Sequence, residues 1–273
     1  MTTNDQMPRV SPAWLAQREA ADGAARAADL VAAVRRVVAG APRLVVHDLG
    51  SGTASMARWL APQLPGRQHW VLHDRDADLL EWASADVPGT ASDGTAVKVE
   101  TRHGDVGALT ADDLADAALV TAAALLDLLT ADEVDRIAAA CGDAPTLFTL
   151  SVTGRVALDP ADPLDAWVAA AFNAHQRRTV AGRRLLGPDA PEALVGAYAR
   201  RGVSTTISPS PWRLGAGSGP LLARWFADWV GAAVEHEPAL AAPIAPYARR
   251  RRAEMAAGRL RAVVGHVDVL ARP

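Results

Sequence analysis

The sequence predicts an α/β protein: a mostly parallel seven-stranded sheet with helices on both faces, an N-terminal helix and helical insertions that cap one edge. Three observations lead there. Short apolar runs alternate with helical stretches through the first 152 residues, the rhythm of strands joined by right-handed crossovers. A late pair of strands flanks further helical stretches, so the sheet is expected to finish with a reversed strand. The 273 residues are 50% hydrophobic with a formal net charge of −3, enough apolar material for one full core and too little charge for a disordered chain. The whole chain reads as one domain: a helical segment at 12–40, a core at 43–152, and cap helices with the final strands at 153–273.

Ser11-Pro12 supplies an N-cap and a first helical position, opening a helix that is predicted to run to about Val38 and stop at Gly40-Ala41-Pro42. Arg18, Asp22 and Arg26 are spaced four apart on it and can pair on one face. Leu44–Asp48 reads as a strand, followed by a glycine-containing turn and a helix near 54–63. A strand at 69–74 leads to a helix near 77–85, and a strand at 97–102 follows the turn signals Pro88-Gly89 and Asp93-Gly94. A strand at 118–122 precedes a helix near 131–141, and a fifth strand occupies 145–152. Beyond it, helices are expected near 162–177 and 190–201, a strand at 203–208, helices near 219–234 and 245–257, and a closing strand at 260–270. Trp59, Trp70, Trp82, Trp167, Trp225 and Trp229 fall inside regular elements and read as packing residues.

Composition removes several classes. The most apolar stretch, Ala117 to Leu129, contains Asp127 and is too short to cross a bilayer. The N-terminal MTTNDQMPRVSP has no apolar core of an export signal, so the expected location is the cytoplasm. The single cysteine, Cys141, leaves no disulfide framework and no cysteine-rich zinc site. Lys98 is the only lysine, so the arginine excess is a compositional bias, and the net charge gives no global attraction to nucleic acid. The one dense basic run, Arg249–Arg252, reads as a solvated helix face. No G-x-S-x-G or P-loop is present. Glu235-His236-Glu237 and His266-x-Asp268 could each begin a metal site, but neither has an evident third ligand, and no metal is expected. His47 and His73, each directly before a strand-end acid, point to the opposite sheet face from that acid and read as structural.

The segment with chemical content is Leu44–Ser55, LVVHDLGSGTAS. An apolar strand ends in Asp48, then Gly50 and Gly52 let the backbone turn sharply before a helix and come close to a ligand. A dinucleotide binder wants G-x-G-x-x-G; here the third position is Ser55, and an acid before the loop would repel pyrophosphate. An acid there suits a ligand carrying an ammonium group. The segment resembles motif I of class I S-adenosylmethionine-dependent methyltransferases, D/E-x-G-x-G-x-G, with Asp48, Gly50 and Gly52 matching and Ala54 in the third glycine's place. The downstream order agrees with the resemblance. The second strand ends at Asp74, where the family has an acid for the cofactor's ribose hydroxyls, with Asp76 as the alternative. The third ends in His103-Gly104-Asp105, where the family has an acid for the adenine amino group. ALVTAAALLDLL resembles the family's motif IV. The match covers 44–152 well and the final strands loosely. FNAHQRR, LLGPDAPEAL, SPSPWRL and VGHVDVL look like a bacterial methyltransferase subgroup and name no acceptor.

The resemblance implies S-adenosylmethionine as cofactor, with S-adenosylhomocysteine as product, held by Asp48, Gly50, Ser51, Gly52, Asp74, Arg75, Asp105, Val106, Thr121 and Ala122, with Arg18 for the cofactor carboxylate. Because the methyl group arrives already activated, the protein mainly supplies alignment, desolvation and in some cases a base. His175 is the first candidate base, since histidine titrates near neutrality. Asp127, just past the fourth strand, is the second; an acid near a helix N-terminus is the structural alternative. Gln176, Trp212 with Arg213, and Trp14 are candidates for the acceptor pocket, with core packing as the competing role. The expected reaction is methyl transfer to an oxygen or nitrogen of a small molecule. RNA methylation through Arg249–Arg252, and a cofactor-binding relative without transferase activity, are the competing readings; an NAD-dependent oxidoreductase is a poor third. The sequence sets no oligomeric state.

Overall fold

The computed structural model describes residues 10–272 except 42 and 86. The export-signal reading at the N-terminus and the stop at Pro42 therefore fall on or beside residues outside that set. Two helices, α1 (Pro12–Ala25) and α2 (Ala28–Val38), precede the sheet. They are followed by β1 (Leu44–Leu49), α3 (Ser55–Leu60), β2 (Gln68–Asp74), α4 (Ala77–Ala85), β3 (Val97–His103), β4 (Leu119–Ala123), α5 (Ala131–Ala140) and β5 (Thr146–Asp159). The later part contains α6 (Asp165–Gln176), a small hairpin of β6 (Thr179–Val180) and β7 (Arg183–Arg184), α7 (Ala190–Ala199), β8 (Ser204–Pro209), β9 (Trp212–Leu214), α8 (Gly219–His236), α9 (Ala241–Ala256) and β10 (Arg261–Arg272).

The sheet order is β3-β2-β1-β4-β5-β10-β8, with β9 also on β10. β1 to β5 pair in parallel, and β10 runs antiparallel between β5 and β8. This strand order is that of the class I methyltransferase fold, and it reverses between β1 and β4, where open α/β sheets place their ligand crevice, outside the carboxyl ends of the strands. The sixth strand position is split. β8 pairs the last part of β10 and β9 its first part, with Ser210-Pro211 between them; a proline cannot donate to a ladder, so the strand breaks there.

Strand alternation sorts the core into two layers. Leu44, Val46, Trp70, Leu72, Leu119, Leu147 and Leu270 pack with α2 and α3. Leu49, Val120, Ala122, Phe148, Val269 and Ala271 pack with α5 and α7. Of the inserted helices, α6 and α8 form the cap with β9, Tyr247 and Ala248 of α9, and the outer ends of β5 and β10; α7 lies instead on the sheet beside α5.

The single N-terminal helix expected to Val38 is two helices. Arg26 leaves the helical region (φ −53°, ψ 138°), and the Ala27 N–H, freed by the break, donates to Asp268 Oδ2 at 2.8 Å. The Ser11 cap is present, accepting from the Trp14 N–H. Trp82 and Trp167 do not pack as expected: they are 64% and 42% exposed, and the Trp167 indole donates to Glu237. Nor is Arg249–Arg252 a solvated face throughout. Arg251 is 1% exposed and holds Asp165, Glu254 and the Pro160 carbonyl, while Arg250 pairs with Asp162. A residue four positions along from Tyr247 on the same helix shares its buried side, which draws Arg251 inward against the Tyr247 ring.

Candidate functional site

β1 ends at the crevice with Asp48, which lies beside Thr121 of β4 and Leu72 of β2 in the parallel register. Thr121 Oγ1 donates to Asp48 Oδ1 at 2.7 Å. The other oxygen, Oδ2, is buried without a hydrogen-bond partner. Burial raises the carboxyl to about 7, with Asp74 adding to the rise and the Thr121 bond and Arg26 opposing it. Asp48 is thus an acid kept short of counter-charge, facing the bend that follows.

That bend places Gly50, Gly52 and Ala54 in the left-handed region, at φ +63°, +54° and +65°. The first two positions suit glycine; Ala54 accepts the strain of a Cβ there, of order 1–2 kcal/mol. A Cβ on Gly50 would lie 2.8 Å from Leu125 Cδ1, and one on Gly52 3.1 Å from Leu15 Cδ1. Two leucines, one after β4 and one from α1, therefore flank the bare backbone. The bend is tied to β2: the Ser51 N–H donates to the His73 carbonyl and the Gly52 N–H to Asp74 Oδ2 at 2.8 Å. Asp74 Oδ1 accepts from the Asp76 N–H at 2.9 Å, so Asp76 supplies backbone to this acid. Each carboxylate oxygen has a second lone pair for a ligand hydroxyl. At the end of β3, Asp105 accepts from the Gly107 N–H at 2.9 Å, with Val106 buried beside it. The His103 ring donates to the Arg75 carbonyl, which joins the β2 and β3 loops.

Helix α1 crosses this bend. Both Glu19 carboxylate oxygens accept from one edge of the Arg58 guanidinium of α3, Nε and Nη2, each at 2.6 Å, Gly23 lies against Trp59, and Leu15 covers Gly52. Arg18 is bidentate to Asp22 at 2.9 and 3.2 Å and stacks on Trp212, 4.9 Å from its centroid. Trp212 in turn donates to Asp22 Oδ1 at 2.9 Å and packs against His266. Arg18 and Trp212 are thus committed to each other, and Trp212 is a buried member of the cap core. Trp14 packs at the edge of that core beneath Arg224, and Arg213 lies on the exposed side of β9.

Asp127 lies on the 3-10 turn after β4. Burial pushes its carboxyl up to about 6, opposed by its own backbone N–H and by the charges of Arg18 and Arg178. His175 closes α6 with its ring edge-on to His236 at 6.5 Å; burial lowers its pKa, with Arg178 and His236 adding to the fall and Glu235 opposing it. Gln176 packs against Gly187 and its Oε1 has no partner. The structure therefore pairs Thr121 with Asp48 and Gly52 with Asp74 at the two ends of the Gly50–Gly52 bend, whose Ser51 N–H donates to the His73 carbonyl; it sets Asp127 within range of Arg18 and turns His175 toward the end of α8.

Sequence reasoning missed three residues here. Asp268, considered only as a metal ligand, spends its oxygens on the N–H groups of Ala27 and Leu150, each at 2.8 Å. Its signal was available: it alternates with Val264, His266 and Leu270 on one side of β10, where an acid among buried residues calls for a partner. Arg26 and Arg178 carry no pattern that separates them from the other arginines. His47 and His73 are as read, on the opposite face. Their rings share a 2.9 Å hydrogen bond, and His47 Nε2 meets Asp116 at 3.0 Å. Among the described residues no cluster of three metal-ligating side chains occurs, and no helix is long and apolar enough to cross a membrane.

The donors and acceptors present fit S-adenosylmethionine. A bend with two left-handed glycines, a buried carboxylate oxygen and a buried Ser51 hydroxyl without partners, and acids at three successive strand ends suit an amino-acid head joined to a nucleoside. No protein-family model matches the chain, and no curated protein does. Solved structures are similar. An S-adenosylmethionine-dependent methyltransferase from Thiobacillus denitrificans, in complex with S-adenosyl-L-homocysteine, is 16% identical with a TM-score of 0.46, over 97% of this chain and 100% of that one. Its counterpart from Geobacter sulfurreducens, also with S-adenosyl-L-homocysteine, is 16% identical with a TM-score of 0.45, over 98% and 100%.

Proposed function

We propose that this chain is a single-domain cytoplasmic enzyme that transfers a methyl group from S-adenosylmethionine to an oxygen or nitrogen of a small molecule. The observation that carries the reading is the set of strand-end acids Asp48, Asp74 and Asp105 arranged about the Gly50–Gly52 bend at the point where strand order reverses. Asp74 would accept the ribose hydroxyls on lone pairs left by its two backbone bonds, with Arg75 following it. Asp105 would take the adenine amino group beside Val106. Ser51, Thr121 and Ala122 would line the floor beneath the amino-acid head. The bound cofactor supplies a sulfonium methyl already activated for in-line displacement.

Asp127 is the stronger candidate base. A carboxyl raised to about 6 is ionised at neutral pH and still basic enough to take a proton from an acceptor hydroxyl or ammonium. The flanking Arg18 and Arg178 would hold it ionised. His175 and Gln176 would orient the acceptor from the cap, with Trp14 at the pocket wall, while Trp212, bonded to Asp22 and stacked under Arg18, serves the cap core. A small acceptor is favoured over RNA because Arg250 and Arg251 are spent on internal ion pairs, which breaks up the Arg249–Arg252 run as a basic face.

Transfer of labelled methyl to a panel of hydroxyl- and amine-bearing metabolites tests the reaction, and equilibrium dialysis with S-adenosylhomocysteine tests the cofactor. Retention of the nucleoside without transfer to any acceptor would favour a binding protein. Asp127→Asn is expected to slow turnover by 100-fold or more, on the scale of a lost general base, and to leave cofactor affinity unchanged. His175→Ala should slow turnover less; full activity in that variant removes His175 from the mechanism.

A further inference from the structure

We propose that Arg26, acting across the glycine bend from Asp48, is the receptor for the α-carboxylate of the cofactor's amino-acid head, while Asp48 takes its α-ammonium. This assignment rests on the methyl-transfer reading above. Arg26 is 4% exposed. Its Nη2 donates to Ser55 Oγ at 3.2 Å and its guanidinium stacks 5.2 Å from the Trp59 ring centroid. Nε and Nη1 are buried and have no hydrogen-bond partner. Leaving two donors of a buried guanidinium unmade is costly, and those unmade donors form part of the planar fork that binds a carboxylate bidentately.

The acids around Arg26 cannot satisfy it. Asp22 is taken by Arg18 and Trp212, and Asp268 by two backbone N–H groups. Asp48 bonds to Thr121 through one oxygen and leaves the other without a partner. Arg26 lies near enough to Asp48 to act on its charge, yet the two make no hydrogen bond. Two guanidinium nitrogens of Arg26 and one carboxyl oxygen of Asp48 thus stand buried without partners, near enough for each group to act on the other's charge. An α-amino acid head presents the complementary pair, an ammonium and a carboxylate on a single carbon. Arg18, the sequence-level candidate for the carboxylate, has its own fork closed on Asp22. The break between α1 and α2 positions Arg26: a helix continuing through Ala27 would carry its side chain elsewhere.

The test is titration calorimetry with S-adenosylhomocysteine and with its decarboxylated analogue, which keeps the ammonium, thioether and nucleoside. The wild-type protein is expected to prefer the carboxylate-bearing ligand by tenfold or more. Arg26→Gln should abolish that preference by weakening S-adenosylhomocysteine alone, the analogue's affinity staying within about twofold; Arg26→Lys should restore part of it. A wild-type protein that binds both ligands equally overturns the proposal without recourse to any variant, as does an Arg26→Gln protein that keeps the wild-type ratio. Failure of the wild-type protein to bind either ligand removes the methyl-transfer reading, and this proposal with it. Binding with no preference removes this proposal alone.

Discussion

The Asp74 carboxylate holds the N–H groups of Gly52 and Asp76 before any ligand arrives, so the residue that would read the ribose also shapes the bend. Asp74→Ala is expected to weaken S-adenosylhomocysteine binding by more than tenfold in calorimetry. Two hydroxyl bonds at roughly 0.5–1.5 kcal/mol each are lost, and the bend loses its tether. Unchanged affinity would reject the ribose assignment. Gly50 tests the cradle itself. Gly50→Ala places a Cβ at φ +63° and 2.8 Å from Leu125; the left-handed backbone alone costs about 1–2 kcal/mol, and the melting temperature should fall by about 3–8 °C. At this scale Asp48 and Asp74 were legible because strand parity tells which side chains share a face: with Thr121 and the overlooked Asp268 they are even-stepped from apolar residues facing α2 and α3. Arg26 was not legible. Its spacing from Arg18 and Asp22 fits a continuous helix, and only the break turns its fork toward β1.

The elements that build the crevice are held by one residue that no strand or helix propensity marks. Asp268, on β10, ties the α1–α2 break to β5, where Leu150 sits at φ +57° and donates its N–H to the same carboxylate. Leu150 falls where the β5–β10 register shifts, so the acid fills the ladder gap that a bulge leaves. Asp268→Ala would strand two buried N–H groups, each costing about 1–3 kcal/mol. Urea denaturation should show a loss of about 2–6 kcal/mol, whereas Asp268→Asn, which keeps one acceptor oxygen, should lose less. Equal stability of Asp268→Ala and the wild type would refute the role. The order of strands and helices was readable from hydrophobic rhythm and turn residues. The α1–α2 break and the placement of α7 on the sheet were not, because each depends on a distant partner or on a contact that local pattern does not carry; the split of the sixth strand has a local cause in Pro211, but the pairing of β9 with the first part of β10 does not.

Across the whole molecule, buried titratable groups push stability in opposite directions with pH, and that opposition is testable. Burial, with the neighbouring His47 and Arg102 charges, brings His73 down to about 4; burial, with Arg18, brings His266 down to about 3. Between those values and about 6.5 the unfolded chain binds protons that the folded chain refuses, so each histidine makes stability fall as pH falls, by about 1.4 kcal/mol per pH unit. Asp48, raised to about 7, and Asp127, raised to about 6, do the reverse: above about 4 the folded chain holds a proton that the unfolded chain has released, so stability rises as pH falls. From pH 4.5 to 6 these histidines, joined by His47 and His175, which burial also lowers, oppose the two acids, joined by Asp268, which burial raises, so the urea midpoint of the wild-type protein should depend on pH less steeply than either set alone would make it. Single substitutions shift that dependence. In Asp48→Asn the histidines act with less opposition, and the slope of stability against pH across that range should become more positive than the wild type's by about 1.4 kcal/mol per unit. In His73→Asn the slope should become more negative than the wild type's by a similar amount, whatever the substitution does to its absolute height. Parallel pH profiles for the two variants would show that Asp48 and His73 titrate alike in the folded and unfolded chains, contrary to their burial on opposite faces of β1 and β2.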